Sequence, residues 1–258
     1  MLILQKQFND TQVVNKRIET PTSKLGFEFY YPLTFQGANN PKKNFDQFLT
    51  DFANARISIV IQDKMKHVQL MNDIKLIHLF EIAASNEGAI VALTDGDGSF
   101  QRWSVTVELS EMGAINLGDD ACLLLNISGM PNTYSGGIWA VDHPKLTDLA
   151  IKYDMKAVQA NNEKDFDVSD YHYIAIPVNG FINCQATYDS GRSLVWSARE
   201  PSFIVQDINE MVANVEGLII TGFKNFYVVG IDDVKTMRLK FSTDVELYLI
   251  KNKTIKEF

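Results

Sequence analysis

Apolar and polar residues trade places with a period of two along most of this chain, in short runs that end at Gly, Asn or Asp. Only a pleated strand sends successive side chains to opposite faces, so this pattern predicts a largely antiparallel β protein. The clearest runs are 56–61, 89–93, 102–109 and 121–127 in the first half. In the second half they are 173–178, 181–187, 193–196, 218–221, 226–231, 237–241 and 245–250. In 102–109, Trp103, Val105, Val107 and Leu109 share one face, and Arg102, Ser104, Thr106 and Glu108 share the other. That split predicts a sheet with one wet side. Helix spacing is rarer. It occurs in 44–54, where Phe45, Phe48, Leu49 and Phe52 recur, in 145–158, and briefly in 207–214.

A chain of 258 residues has room for one large β domain or two of roughly 100 to 130 residues. Internal repetition favours two. Ile115, Leu117, Asp120, Leu123 and Leu125 match Leu239, Phe241, Asp244, Leu247 and Leu249 at one constant spacing, which also carries Trp103, Val105 and Val107 onto Tyr227, Val229 and Ile231. Asn72-Asp73-Ile74 matches Gln206-Asp207-Ile208 at a slightly longer one. Two tandem copies of one β domain are the economical reading, although alternating strands slide easily into false register. The turn-rich segment 131–137, the helix-like stretch and the polar 161–165 place the boundary within 130–170. The expected organisation is an N-terminal arm over 1–24, a first domain over 25–145, a helical linker over 146–165 and a second domain over 166–258.

Charge narrows the possible partners. Acidic residues number 32 against 24 basic ones, a net charge of −8 that both halves share equally, which argues against a surface built to neutralise phosphates. Basic residues gather only at Lys42–Lys43, at Lys64 and Lys66, and among Lys6, Lys16, Arg17 and Lys24. The last group suits either a peripheral arm touching a neighbouring subunit or an anionic membrane, or an ordinary frayed terminus. The two cysteines, Cys122 and Cys184, stand in apolar strand-like runs and read as buried thiols rather than a disulfide framework. The four apolar residues that open the chain are too few for a signal-peptide core, and no apolar run approaches a membrane span, so cytoplasmic synthesis is expected.

No constellation carrying chemistry emerges. His67, His78, His143 and His172 have no His or Cys at zinc-site spacing. Tyr134-Ser135-Gly136-Gly137 lacks the flanking residues of a nucleophile turn and reads as a plain turn. Asp95-Gly96-Asp97-Gly98-Ser99 starts like a calcium loop but has Phe100 and Thr106 where a glycine and a carboxylate belong. A hairpin turn is expected there, with a weak cation site at Asp95 and Asp97 as the alternative. Asp119-Asp120 and Asp232-Asp233 read as turn carboxylates. No catalytic, cofactor-binding or metal-ligating residue is therefore nominated, and a non-enzymatic role without a cofactor is expected.

The strand, polar turn and strand of 54–74 and the closing pair in 237–250 resemble the double jelly-roll major capsid proteins shared by adenovirus and membrane-containing icosahedral phages. That resemblance implies two eight-stranded jelly rolls joined by short helices. It also implies a homotrimer forming a pseudo-hexagonal capsomer, contacts with neighbouring capsomers and other virion proteins, and a possible touch of the N-terminal arm on an internal membrane. No specific nucleic acid is implied, and the location would be the virion. Two rivals share parts of the pattern. A polymerase sliding clamp is acidic, duplicated and near this length, but the helical stretch 145–158 offsets Lys145, Lys152 and Lys156 with Asp148 and Asp154. A carbohydrate- or receptor-binding β-sandwich would use Trp139, Trp196 and tyrosines, residue types more often found in cores.

Overall fold

The computed structural model describes residues 1–7, 14–33, 42–63, 67–87, 90–94, 99–118, 120–197, 218–221 and 225–255. Strands dominate them, and nearly all pair antiparallel. In the first half these are β1 (Leu2–Gln7), β2 (Val14–Ile18), β3 (Lys24–Pro32), β4 (Arg56–Gln62), β5 (His67–Lys75), β6 (Ile90–Thr94), β7 (Phe100–Glu108), β8 (Ala114–Ile115), β9 (Cys122–Ser128) and β10 (Ser135–Val141). Helix α1 (Phe45–Asp51) precedes β4, and α2 (Leu76–Glu87) follows β5 directly. Then come β11 (Leu146–Thr147), β12 (Leu149–Val158), β13 (Glu163–Asp167), β14 (Tyr173–Pro177), β15 (Phe181–Tyr188), β16 (Ser193–Ser197), β17 (Leu218–Thr221), β18 (Phe226–Gly230), β19 (Val234–Phe241) and β20 (Val245–Thr254).

Two sheets of the first half run β1-β10-β3-β7, extended by β6 and β17, and β2-β9-β4-β5. Numbering the eight principal strands in chain order gives 1-8-3-6 for one sheet and 2-7-4-5 for the other. The second half repeats this order, with β12-β20-β14-β18 as 1-8-3-6 and β13-β19-β15-β16 as 2-7-4-5. In each half an extra strand lies between the fifth and sixth principal strands, β6 in the first and β17 in the second. These two pair with each other, Leu218 opposite Leu93 and Thr221 opposite Ile90, so backbone hydrogen bonds cross between the halves.

The alternation seen in the sequence is the facing of these strands. In β3, Leu25, Phe27 and Phe29 are buried and meet Val107, Val105 and Trp103 of β7 across the ladder. Ile57, Ile59 and Ile61 of β4 and Leu123, Leu125 and Ile127 of β9 close the sandwich from the other sheet. Each such side chain contributes about 1.5–3 kcal/mol by leaving water. The two helices plug this sandwich. Asn44 caps α1 by accepting from the Gln47 amide while the Gln47 side chain answers the Asn44 amide, both at 2.9 Å. Phe48 of α1, Phe52 at its C-cap and Phe80 of α2 then surround Phe29, with ring centroids 4.6–5.9 Å away.

Several sequence expectations are corrected. Residues 145–158 form strand rather than helix: β12 pairs along its whole length with β20, and its Lys152, Asp154 and Lys156 alternate with Ile151 and Tyr153. The 146–165 linker is thus built of β11, β12 and the start of β13. The described residues of 1–24 do not form a peripheral arm. β1 lies against β10, with the Met1 ammonium donating to the Ala140 carbonyl at 2.6 Å, and β2 lies against β9 with Val14 and Ile18 buried. Ser135-Gly136-Gly137 opens strand β10, and Gly137 leaves room for the Trp139 ring, which a Cβ there would push aside. The repeat is also only half in register. Trp103 and Tyr227 occupy the equivalent β7 and β18, but Leu123 lies on the seventh strand and Leu247 on the eighth. The counterpart of β9 is β19. The expected helix at 207–214, the Gln206-Asp207-Ile208 match, the Asp95–Asp97 loop, Asp119 and the Lys64/Lys66 pair lie outside the described residues.

Candidate functional site

The sheet β12-β20-β14-β18 is covered on both faces. On one side Ile174, Ile176, Leu247 and Leu249 join Phe166, Cys184, Met237, Leu239 and Phe241 in the second half's own core. On the other, Tyr153, Ala175, Tyr248 and Ile250 belong to the core of the first half. Burial on both faces removes the need for alternating polarity, which is why the stretches Tyr173–Pro177 and Glu246–Ile250 read as almost unbroken apolar runs.

Polar contacts across this seam are concentrated on one stripe. Lys75 closes β5, and His78 and Glu81 follow on α2 at three-residue steps that keep all three on one side. Lys75 Nζ lies 3.0 Å from Glu246 Oε2 at the start of β20. His78 Nδ1 lies 2.7 Å from the Tyr248 hydroxyl and 3.6 Å from Glu246 Oε2, with its ring edge-on to Phe226 and Tyr248. Glu81, 1% exposed, accepts from Asn225 Nδ2 just ahead of β18. A cavity of about 490 Å³ opens beside the stripe, with Thr50, Asn179, Thr243 and Asp244 also on its wall.

The electrostatics of the seam are strongly perturbed. Burial pushes the Glu81 carboxyl up to about 8, against a smaller opposing effect of the Asn225 hydrogen bond and with a small further push from Asp46. Burial, reinforced by the Lys75 charge, lowers His78 to about 4, while Glu246 pulls the other way. Burial and then Glu246 raise the Tyr248 hydroxyl. At neutral pH His78 is neutral, Glu81 carries its proton, and Lys75 with Glu246 forms the seam's ion pair. Carboxyls with raised pKa in a cleft mark functional sites in enzymes, but structural networks shift pKa values as well. Here every member bridges two packed bodies.

The remaining histidines and thiols stand apart. His67 and His143 are exposed, and His172 lies 3.3 Å from Asp232 at a turn. Cys122 and Cys184 are free and buried, with burial raising the Cys184 thiol to about 12. Among the described residues, no three His, Cys, Asp or Glu side chains gather as a metal cage. Trp196 packs partly buried against the second core. At one end of the first sandwich a cavity of about 640 Å³ lies among Tyr30, Pro32, Phe100 and Tyr134. There the Tyr134 hydroxyl donates to Asp51 Oδ2 at 2.8 Å and the Tyr30 hydroxyl to Glu28 at 2.6 Å.

The sequence pointed to none of the seam residues. Leu76, Leu79, Phe80 and Ala83 follow helix spacing and were the available signal for α2. Its polar residues show no pattern until Tyr248, Glu246 and Asn225 are brought to them from more than 140 residues away. Comparison with protein-family models and with curated proteins finds no match to this chain.

Proposed function

We propose that the protein is a structural capsid subunit, a double jelly roll that assembles as a homotrimer into pseudo-hexagonal capsomers of an icosahedral virion. The observation that carries this reading is the strand order. Both halves wind eight strands as 1-8-3-6 over 2-7-4-5, and eight strands folded over as a jelly roll take this order. A single such sandwich serves many functions, so the fold alone assigns none. Two copies in one chain, joined side by side through a sheet buried on both faces, give two similar lobes. Three of these around an axis give six lobes, a near-hexagonal tile from a three-fold assembly.

A clamp needs helices to line its hole, whereas the longest helical candidate is strand β12 and helix α2 is sunk between the two halves. Imaging of the purified full chain tests the proposal. Six-lobed trimers, or shells tiled by them, are the expected particles. A monodisperse monomer across micromolar concentrations would refute the assignment, and selective retention on a glycan array by that monomer would replace it with the carbohydrate-binding reading.

A further inference from the structure

Helix α2 joins the fifth and sixth principal strands of the first half, yet its polar stripe is spent on the second half. The groups facing that stripe come from five elements. Asp46 approaches Glu81 from α1, Asn225 from the segment before β18, and Tyr248 from β20. Lys75 of β5, Arg56 of β4 and Glu246 of β20 face His78. Asp244 completes the cavity wall. Among the described residues, no cation lies against the Glu81 carboxyl. Lys75 is engaged by Glu246, and what Glu81 receives is the neutral amide of Asn225. A carboxylate left there would be a buried charge held by one neutral donor, a costly arrangement that water entering from the adjacent cavity would relieve.

We infer that Glu81 is a proton-held latch between the two halves: protonated, it lets α2 seat against β18 and β20, and ionised, it opens that seam to water. The latch acts on the joint between the two lobes and does not rest on the capsid assignment. In solution it makes the joint tight in weak acid and loose in mild alkali. His78 works in the opposite sense, since adding a proton puts a charge into a buried site and a third cation beside Lys75 and Arg56, partly offset by Glu246.

Hydrogen exchange on the full-length protein, corrected for the intrinsic pH dependence of amide exchange, tests this. Opening that exposes Glu81 should become about tenfold more frequent per pH unit between pH 5 and 8. Amides of residues 77–84 and 226–230 are expected to lose protection at that rate, while those of 57–61 in the first core stay unchanged. In Glu81→Gln the seam amides should keep their protection. Equal loss in the two proteins would overturn the latch. Should the variant not fold, isotope-edited titration of the wild-type glutamate carboxyls decides. A midpoint near 8 accompanied by seam exchange supports the latch. A midpoint in the ordinary carboxylate range, or a high midpoint without seam exchange, overturns it.

Discussion

Replacing Glu81 by Gln keeps nearly the same shape and an acceptor for Asn225 but removes the proton from the pH account. In the unfolded chain a glutamate titrates at about 4.5, and in the seam at about 8. A carboxyl raised in the folded state contributes stability that is fully present below 4.5. It is lost as pH rises to 8 and changes no further above that. The interval of 3.5 units corresponds to roughly 5 kcal/mol at 1.36 kcal/mol per unit. This is a ceiling, because opening of the seam hydrates the carboxylate at lower cost. Wild type and Glu81→Gln should therefore be about equally stable at pH 4.5. The variant should gain on the wild type steadily up to pH 8, and the advantage should level off there. Urea unfolding at pH 4.5, 6.5, 8 and 9 reads this directly from the difference between the two midpoints, in which the other titrating groups cancel. Parallel curves over the whole range would refute the burial argument. So would a variant less stable by the same amount at every pH.

The other expectations concern the same seam and the two cores. His78, lowered to about 4 from 6.5, contributes stability that is present above 6.5 and lost as pH falls to 4, roughly 3 kcal/mol. His78→Gln should remove this contribution, so that the variant's stability falls as pH rises from 4.5 to 6.5, and a profile parallel to the wild type's would show that His78 is hydrated. Between 4.5 and 6.5 the His78 and Glu81 slopes oppose each other, so these two groups together give the wild type a plateau in that interval. Phe29→Ala, which empties a fully buried site ringed by Phe27, Phe48, Phe52 and Phe80, should cost about 3–5 kcal/mol in denaturant unfolding. Val105→Asp and Leu247→Asp bury an unpaired charge in the first and second core respectively and should abolish soluble expression. Native yield of either would show the facing to be wrong.

Strands with one wet face were the legible part of the fold. Trp103, Val105 and Val107 face inward as their alternation requires, and the Asn44–Gln47 capping box marks the helix that the phenylalanine spacing indicates. Reading failed where tertiary burial overrides local pattern. β12 carries residues at helix spacing, yet its ten-residue ladder with β20 decides its conformation. Leu76, Leu79, Phe80, Ile82 and Ala83 of α2 are buried, and its His78 and Glu81 face the seam with the second half, so no wet polar face outlines it. The seam site was illegible for a stricter reason. Glu81 and His78 are unremarkable as letters, and their shifted proton affinities arise chiefly from burial that exists only once the far end of the chain packs over α2, with Asn225 and Glu246 pulling against the shifts. The repeat was visible but misaligned by one strand near its end, since strands of equal period match in more than one register.

The assembly state of the purified chain tests the central claim most directly. Light scattering after size exclusion, followed by cryo-electron microscopy of the same fraction, should give a mass three times 29.1 kDa and projections with six lobes around a three-fold axis. A particle of one chain's mass at every concentration, with the two lobes standing alone, would contradict it.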